Sequence, residues 1–202
     1  MKLAIGIPAY RQQVAVGHLY QTANLVKALE GSEVELAGIL STDSCSVEWS
    51  RNQLVHTALK NGADWLLMCD ADTYHSKAGD LLEMMREGQR RGAAVIAAPV
   101  KQRGSSGHHN VVVVEGNETR RLTPFEFAGK VLPVQRIGTA CMAVSLGWVK
   151  DHWPEQPWFQ MVQLPGPEPK KVGEDFLFCE HVGDRGGLIL ADGRFEPVHV
   201  GA

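Results

Sequence analysis

An alternation through the first hundred residues constrains this chain most: short apolar runs take turns with segments whose apolar positions recur at helical spacing. Lys2 to Ile7 reads as a strand. Gly17 to Glu30 places Leu19, Ala23, Val26 and Leu29 near helical spacing and meets a stop at Gly31. Val34 to Leu40 is a second strand, and a helix from about Ser46 presents Leu54, Val55, Ala58 and Leu59 inward before Asn61-Gly62 ends it. The unbroken apolar run from Trp65 to Cys69 makes a third strand that stops at Asp70. Ser76 is placed to cap a further helix with Leu81, Leu82 and Met85 inward, and Ala94 to Ala98 gives a fourth strand. Such an alternation predicts βαβ units in one α/β domain: a Rossmann-like, mostly parallel, twisted sheet flanked by helices.

The second half has a different texture. Val111 to Glu115 is β-rich and is followed by a Gly116-Asn117 turn; Val131 to Ile137 and Thr139 to Ser145 are further strand candidates. Five prolines between Trp153 and Lys171 (Pro154, Pro157, Pro165, Pro167 and Pro169) forbid regular helix and predict an ordered loop or a lid. Gly173-Glu174-Asp175 then opens a helix, and Phe195 to Val200 is a β-like run that returns toward the main sheet.

With 202 residues, 44% hydrophobic and 21% charged, the chain is long enough for one substantial core. A net charge of −3 gives no overall attraction for nucleic acid or acidic membranes. Gly6 and Pro8 interrupt an N-terminal apolar run too short for a signal peptide, and no stretch approaches the roughly 18 apolar residues of a membrane helix. Cys45, Cys69, Cys141 and Cys179 lie far apart, which argues against a zinc site or a disulfide framework and predicts a cytoplasmic protein.

Ligands of parallel sheets gather at the carboxyl ends of the strands. Pro8-Ala9-Tyr10, Thr42-Asp43, Asp70-Ala71-Asp72 and Pro99-Val100-Lys101 are all expected there. Asp70 and Asp72 are the sharpest of these. Residues two apart leave a strand on one side, so both carboxylates are expected to approach one divalent cation, with Mg²⁺ or Mn²⁺ as the oxygen-seeking choices. An isolated Asp-x-Asp is also a common acidic turn.

Three other positions carry possible chemistry. Glu174 and Asp175 sit where a helix dipole favours carboxylates, and one of them is a candidate base. His199 can join carboxylates on Mn²⁺ or remain an ordinary surface imidazole. Arg51 can fork onto a phosphate or stay solvated on its helix. Lys101, Gln102 and Arg103 lead into Gly104 to Asn110, which suits a phosphate-covering flap or an exposed loop; the exposed reading is preferred for His108 and His109. No phosphate-binding Gly-x-x-x-x-Gly-Lys-Ser/Thr loop is present.

Taken in order, Ile5 to Tyr10, Ser50-Arg51-Asn52, Asp70-Ala71-Asp72, Gly173-Glu174-Asp175 and His199-Val200-Gly201 resemble the family-2-like nucleotide-sugar glycosyltransferases of the GT-A fold, in the small versions found in bacteria and phages. The resemblance implies one GT-A-like domain, with residues 1–100 as the nucleotide-sugar and metal half and residues 101–202 as a smaller β-rich acceptor-side and catalytic half. It implies that Pro8, Ala9, Tyr10 and Asp43 border the base of a nucleoside diphosphate sugar, with a UDP-sugar favoured and a GDP-sugar possible. Arg51, Ala71 and Lys101 belong to the same donor site. Asp70, Asp72 and His199 would hold Mn²⁺ or Mg²⁺ against the diphosphate. Asp175, supported by Glu174, would be the base of an inverting transfer, and Gly138-Thr139-Ala140 would line the acceptor side. The acceptor hydroxyl stays open among a glycan, modified nucleic acid, a lipid carrier and a small molecule, as does the oligomeric state.

Two readings compete. Asp70-Ala71-Asp72 also looks like the nucleophile motif of haloacid-dehalogenase-type phosphatases, with Asp70 attacking phosphorus, although Tyr74 stands where that motif has Thr or Val. A non-catalytic nucleotide-binding module would need neither Asp175 nor His199.

Overall fold

The computed structural model describes residues 1–9, 13–43, 46–101, 109–116, 118–164 and 170–200. Tyr10, most of the Lys101 to Asn110 segment and Pro165, Pro167 and Pro169 lie outside them. In chain order the first half holds β1 (Lys2–Ala9), α1 (Val16–Leu29), β2 (Glu35–Asp43), α2 (Val47–Lys60), β3 (Trp65–Cys69), β4 (Thr73–Tyr74), α3 (Ala78–Arg90) and β5 (Val95–Ala97). The second holds β6 (Val111–Glu115), β7 (Glu118–Arg121), α4 (Pro124–Phe127), β8 (Val131–Pro133), β9 (Arg136–Ile137), β10 (Cys141–Ser145), α5 (Leu146–His152), β11 (Val162–Leu164), β12 (Lys170–Val172), α6 (Glu174–Asp184), β13 (Ile189–Asp192) and β14 (Val198–His199).

Seven strands form the central sheet in the order β2-β1-β3-β10-β5-β13-β8. β1, β2, β3, β5 and β13 share one direction, while β10 and β8 run against them. The result is the expected α/β domain with a mostly parallel sheet, and the second half supplies three of its strands. Val131 to Ile137 does not stay one strand: β8 joins the main sheet, whereas β9 pairs with β6 in a separate three-stranded sheet. Phe195 to Val200 likewise misses the main sheet, and β14 pairs antiparallel with β4.

β3 shows why the strands read as apolar throughout. All five of its residues are buried, with Leu66 and Met68 packing into one core cluster and Trp65, Leu67 and Cys69 into another. Successive side chains leave opposite faces of a strand, so a sheet covered on both sides needs apolar residues at every position. α2 and α6 close the first face, and α1 and α3 the second.

Two helices depart from expectation. α1 buries His18, Gln21, Leu25 and Leu29, leaving Leu19 54% exposed. Its polar positions are inward because the chain after β3 packs there: His18 Nδ1 meets the Thr73 carbonyl at 2.9 Å, and Gln21 Oε1 accepts from the His75 amide at 2.5 Å. α3 begins after Lys77, not Ser76, and makes no side-chain cap, although Leu81, Leu82 and Met85 are buried as expected. Ser46 does cap α2, accepting from Trp49 N at 3.3 Å.

The proline-dense segment is firmly seated at one end. Asn52, on α2, accepts from the amides of Trp158 and Phe159 at 2.8 and 3.0 Å and donates to the Phe159 carbonyl at 2.7 Å. Phe159 stacks on Phe178 of α6 with ring centroids 4.2 Å apart. β11 and β12 then form a hairpin that leads straight into Gly173 and α6.

Candidate active site

Asp70 and Asp72 leave the sheet in a turn, not as alternating strand residues. Thr73 N donates to the Asp70 carbonyl at 2.8 Å, and Asp70 N donates across to Ala140 of the neighbouring chain segment at 3.0 Å. The turn curls both carboxylates toward β14, whose His199 is in register with Thr73. Val200 N closes the pairing on the Asp72 carbonyl at 2.7 Å. One ligand atom each from Asp70, Asp72 and His199 therefore falls within 4.8 Å of the others. His199 Nδ1 lies 2.9 Å from the Lys101 carbonyl, and only an N–H can donate to it. That bond fixes the tautomer and leaves the Nε2 lone pair for a cation. Lys101 thus contributes its carbonyl here, while its side chain is exposed.

Arg51 is not a solvated helical arginine. It is 2% exposed, and its guanidinium bridges Asp70 at 2.7 Å and Glu174, a very short contact. Two of its N–H groups expected for a donor phosphate are thereby committed to carboxylates. Burial opposes the arginine's charge, yet Asp70, Glu174 and Asp175 together hold its pKa above the ordinary value.

α6 delivers the other two acids from its first turn. Burial is the largest influence on Glu174 and raises its pKa, with Arg51 pulling the other way. Burial also raises Asp175, partly opposed by the Phe176 amide, which donates to its Oδ1 at 2.8 Å. Asp175 has no ion pair with Arg51. Gly173 is required beside it: a Cβ there would lie 2.7 Å from Asp175 Oδ1 and displace the carboxylate.

A cavity of about 240 Å³ collects these groups, lined by Arg51, Asp70, Glu174, Asp175 and His199 together with Gly138-Thr139-Ala140 and Asn110. Pro8, Ala9, Asp43, Ala71 and Asp72 do not line it. Pro8 and Ala9 pair with Thr42 and Asp43 at the carboxyl ends of β1 and β2, Ala71 packs with Ile7 and Ala9, and Asp43 is exposed. Three carboxylates, Asp70, Glu174 and Asp175, gather around one guanidinium, with Asp72 near Asp70 and His199, a surplus of negative charge that a divalent cation would neutralise.

Known structures share this architecture. The A197 protein from STIV matches with a TM-score of 0.66 at 16% identity, over 100% of this chain and 87% of that one. GalNAc-T7 with UDP, GalNAc and Mn²⁺ matches at 0.61 and 12% identity over 98% of this chain, which spans 43% of that protein. CMP:2-keto-3-deoxy-manno-octonic acid synthetase complexed with CTP matches at 0.51 and 12%, covering 100% and 92% of the two chains. This chain shares its fold with these proteins. At these identities the likeness is one of fold alone. No family model and no curated protein sequence matches the chain. Among the described residues of this GT-A-like domain, no helix is long and apolar enough to cross a membrane.

The sequence reading named Asn52 within a motif without giving it a role and treated Asn110 only as loop. Asn is a poor residue for a helix interior, so Asn52 in mid-α2 was a detectable sign of a side chain with a tertiary partner. His109 was expected to be exposed; it is 4% exposed, bonds Glu196 at 2.9 Å and packs edge-on to Phe127. Nothing in its local sequence announced that burial.

Proposed function

We propose that this protein is a divalent-cation-dependent glycosyltransferase that moves one sugar from a nucleoside diphosphate sugar, a UDP-sugar in the first instance, to an acceptor hydroxyl with inversion. The observation that carries the reading is the approach of Asp70, Asp72 and His199 within 4.8 Å beside the cavity that also holds Asp175. Two carboxylates and an imidazole with a free Nε2 fit Mn²⁺ better than Mg²⁺, which prefers oxygen alone. A cation bound there would take up charge that builds on the departing diphosphate. Residues 1–100 would chiefly serve the donor and residues 101–202 the acceptor, with Pro8, Ala9, Tyr10 and Asp43 around the base.

The protein's own groups divide the remaining work. Asp175 takes the proton from the acceptor hydroxyl as its oxygen attacks the anomeric carbon. Its burial supports that role, because a raised pKa makes a carboxylate a stronger base. Glu174, bound to Arg51, orients the guanidinium and spares Asp175 from an ion pair that would weaken it. Arg51 in turn holds Asp70 at the cation site and so joins the two halves of the reaction centre.

Mn²⁺-dependent UDP binding, followed by calorimetry, tests the reading. Wild-type protein should bind UDP with Mn²⁺ and not after chelation, and Asp72→Ala should abolish the metal-dependent part without unfolding. Asp175→Asn should keep that binding and lose transfer or donor hydrolysis by ~10² to 10⁴-fold. Release of inorganic phosphate from simple esters would point instead to the phosphatase chemistry of Asp70. Metal-dependent UDP binding with no turnover of any UDP- or GDP-sugar would leave a binding module.

A further inference from the structure

The cavity that holds the acids also carries a polar side chain with no hydrogen-bond partner among the described residues. Asn110 lines the cavity, yet its carboxamide makes no hydrogen bond within the described residues, and its Oδ1 is buried without a donor. Its backbone is well placed, since the Asn110 carbonyl accepts from Gly138 N at 2.9 Å. In the same cavity Arg51, 2% exposed, has a buried Nε with no acceptor, although its other nitrogens are paired. A buried donor and a buried amide oxygen without partners cost roughly 1–3 kcal/mol each, and a water, an ion or a ligand in the cavity would complete them.

Position says which part of a ligand meets them. The cavity is lined both by Asp70 and His199, which would hold a diphosphate, and by Asp175, which would deprotonate an acceptor. On the reading of a nucleotide-sugar donor, the group between diphosphate and acceptor is the transferred sugar. A sugar hydroxyl both accepts and donates, so it can take a bond from Arg51 Nε and share another with the Asn110 amide, whose rotation about Cβ–Cγ presents either nitrogen or oxygen. We infer that Asn110 is a specificity-determining residue that grips a hydroxyl of the transferred sugar, with Arg51 Nε as its counterpart. Gly138 keeps the grip in place: a Cβ there would approach Asn110 Cβ to 2.9 Å and Nδ2 to 3.2 Å.

The test compares UDP alone with UDP-glucose, UDP-galactose and UDP-N-acetylglucosamine, each with Mn²⁺, by calorimetry on the whole chain. Asn110→Leu keeps the branching of the side chain and removes its hydrogen bonds. It should weaken the best-bound sugar nucleotide about tenfold and leave UDP unchanged. Gly138→Ala, which leaves Asn110 present but displaced, should act in the same direction by a smaller factor. Equal loss for UDP and the sugar nucleotide, or no loss in Asn110→Leu, overturns the assignment while the parent reading stands. If wild-type protein binds UDP-sugars no more tightly than UDP, or binds neither, no sugar reaches Asn110 and the proposal falls; the second case overturns the donor reading as well.

Discussion

α6 borders two cavities, and they differ in the way that matters for chemistry. Its N-terminal turn closes the 240 Å³ site with Glu174 and Asp175, while Cys179, Glu180, Gly183 and Asp184 farther along face a second space of about 480 Å³ against Pro133, Arg136 and Leu188. The larger cavity has the volume expected of a ligand pocket. Its ionic content, however, is the Arg136–Glu180 pair at 2.6 Å, both partners partly solvated, plus Asp184. Burial pushes the Cys179 thiol up to about 12, which removes it as a nucleophile. The smaller cavity concentrates buried acids with raised pKa values, a buried guanidinium and a cation-ready imidazole. Convergent charge, not volume, separates a reaction centre from a packing gap.

If that contrast is right, the largest effect comes from removing the buried Arg51 guanidinium. Arg51→Met should destabilise the fold by about 3 kcal/mol, because it strands buried acids without compensation. The estimate sits at the low end for a broken buried pair since the Asp70 side chain is 27% exposed. Added Mn²⁺ should restore part of the loss by engaging Asp70. Chemical denaturation with and without Mn²⁺ checks both points, and wild-type stability in the metal-free variant would break the contrast.

A smaller effect should appear in the pH dependence. Asp175 and Glu174 titrate above their ordinary 3.8 and 4.5, so the folded state holds more protons than the unfolded state in the window that starts there. Their contribution to stability therefore falls as pH rises through that window, the reverse of an acid held ionised by a salt bridge. Asp175→Asn removes one of these protons from the balance. Its stability relative to wild type should increase from pH 4 upward, read from denaturation midpoints at each pH. Parallel curves would show that Asp175 carries no such strain.

The smallest effect belongs to the other cavity. Glu180→Gln breaks a half-solvated ion pair and should change stability by less than about 0.5 kcal/mol. Mn²⁺-dependent UDP affinity should not change. A loss of that affinity would mean the larger cavity communicates with the site and would sharpen the comparison into one between two coupled regions.

Much of this was legible in the chain. The α/β alternation, the burial of Leu81, Leu82 and Met85, the start of α2 near Ser46 and the start of α6 at Glu174 all follow from local periodicity and end chemistry, which act over a few residues. Three details were not. The Asp70 and Asp72 carboxylates were assigned strand alternation, and a turn set by the Thr73 amide does the converging instead. Arg51 was offered to a phosphate, and its partners are Asp70 and Glu174, the latter 123 positions away. The run ending at His199 was sent to the main sheet and pairs with β4.

The sequence by itself determined which residue types close each strand, because a buried apolar strand must end where polar side chains can meet solvent or ligand. Only the tertiary structure decided how those ends meet. Pairing β10 against β3 puts Ala140 beside Asp70, and pairing β14 against β4 brings His199 to the same turn. Burying Arg51 between α2 and α6 then ties Asp70 to Glu174. Apart from the Arg51–Asp70 pair, these contacts join residues more than 60 positions apart, whose approach depends on the closure of the whole sheet, and no local pattern of apolar and polar residues encodes it.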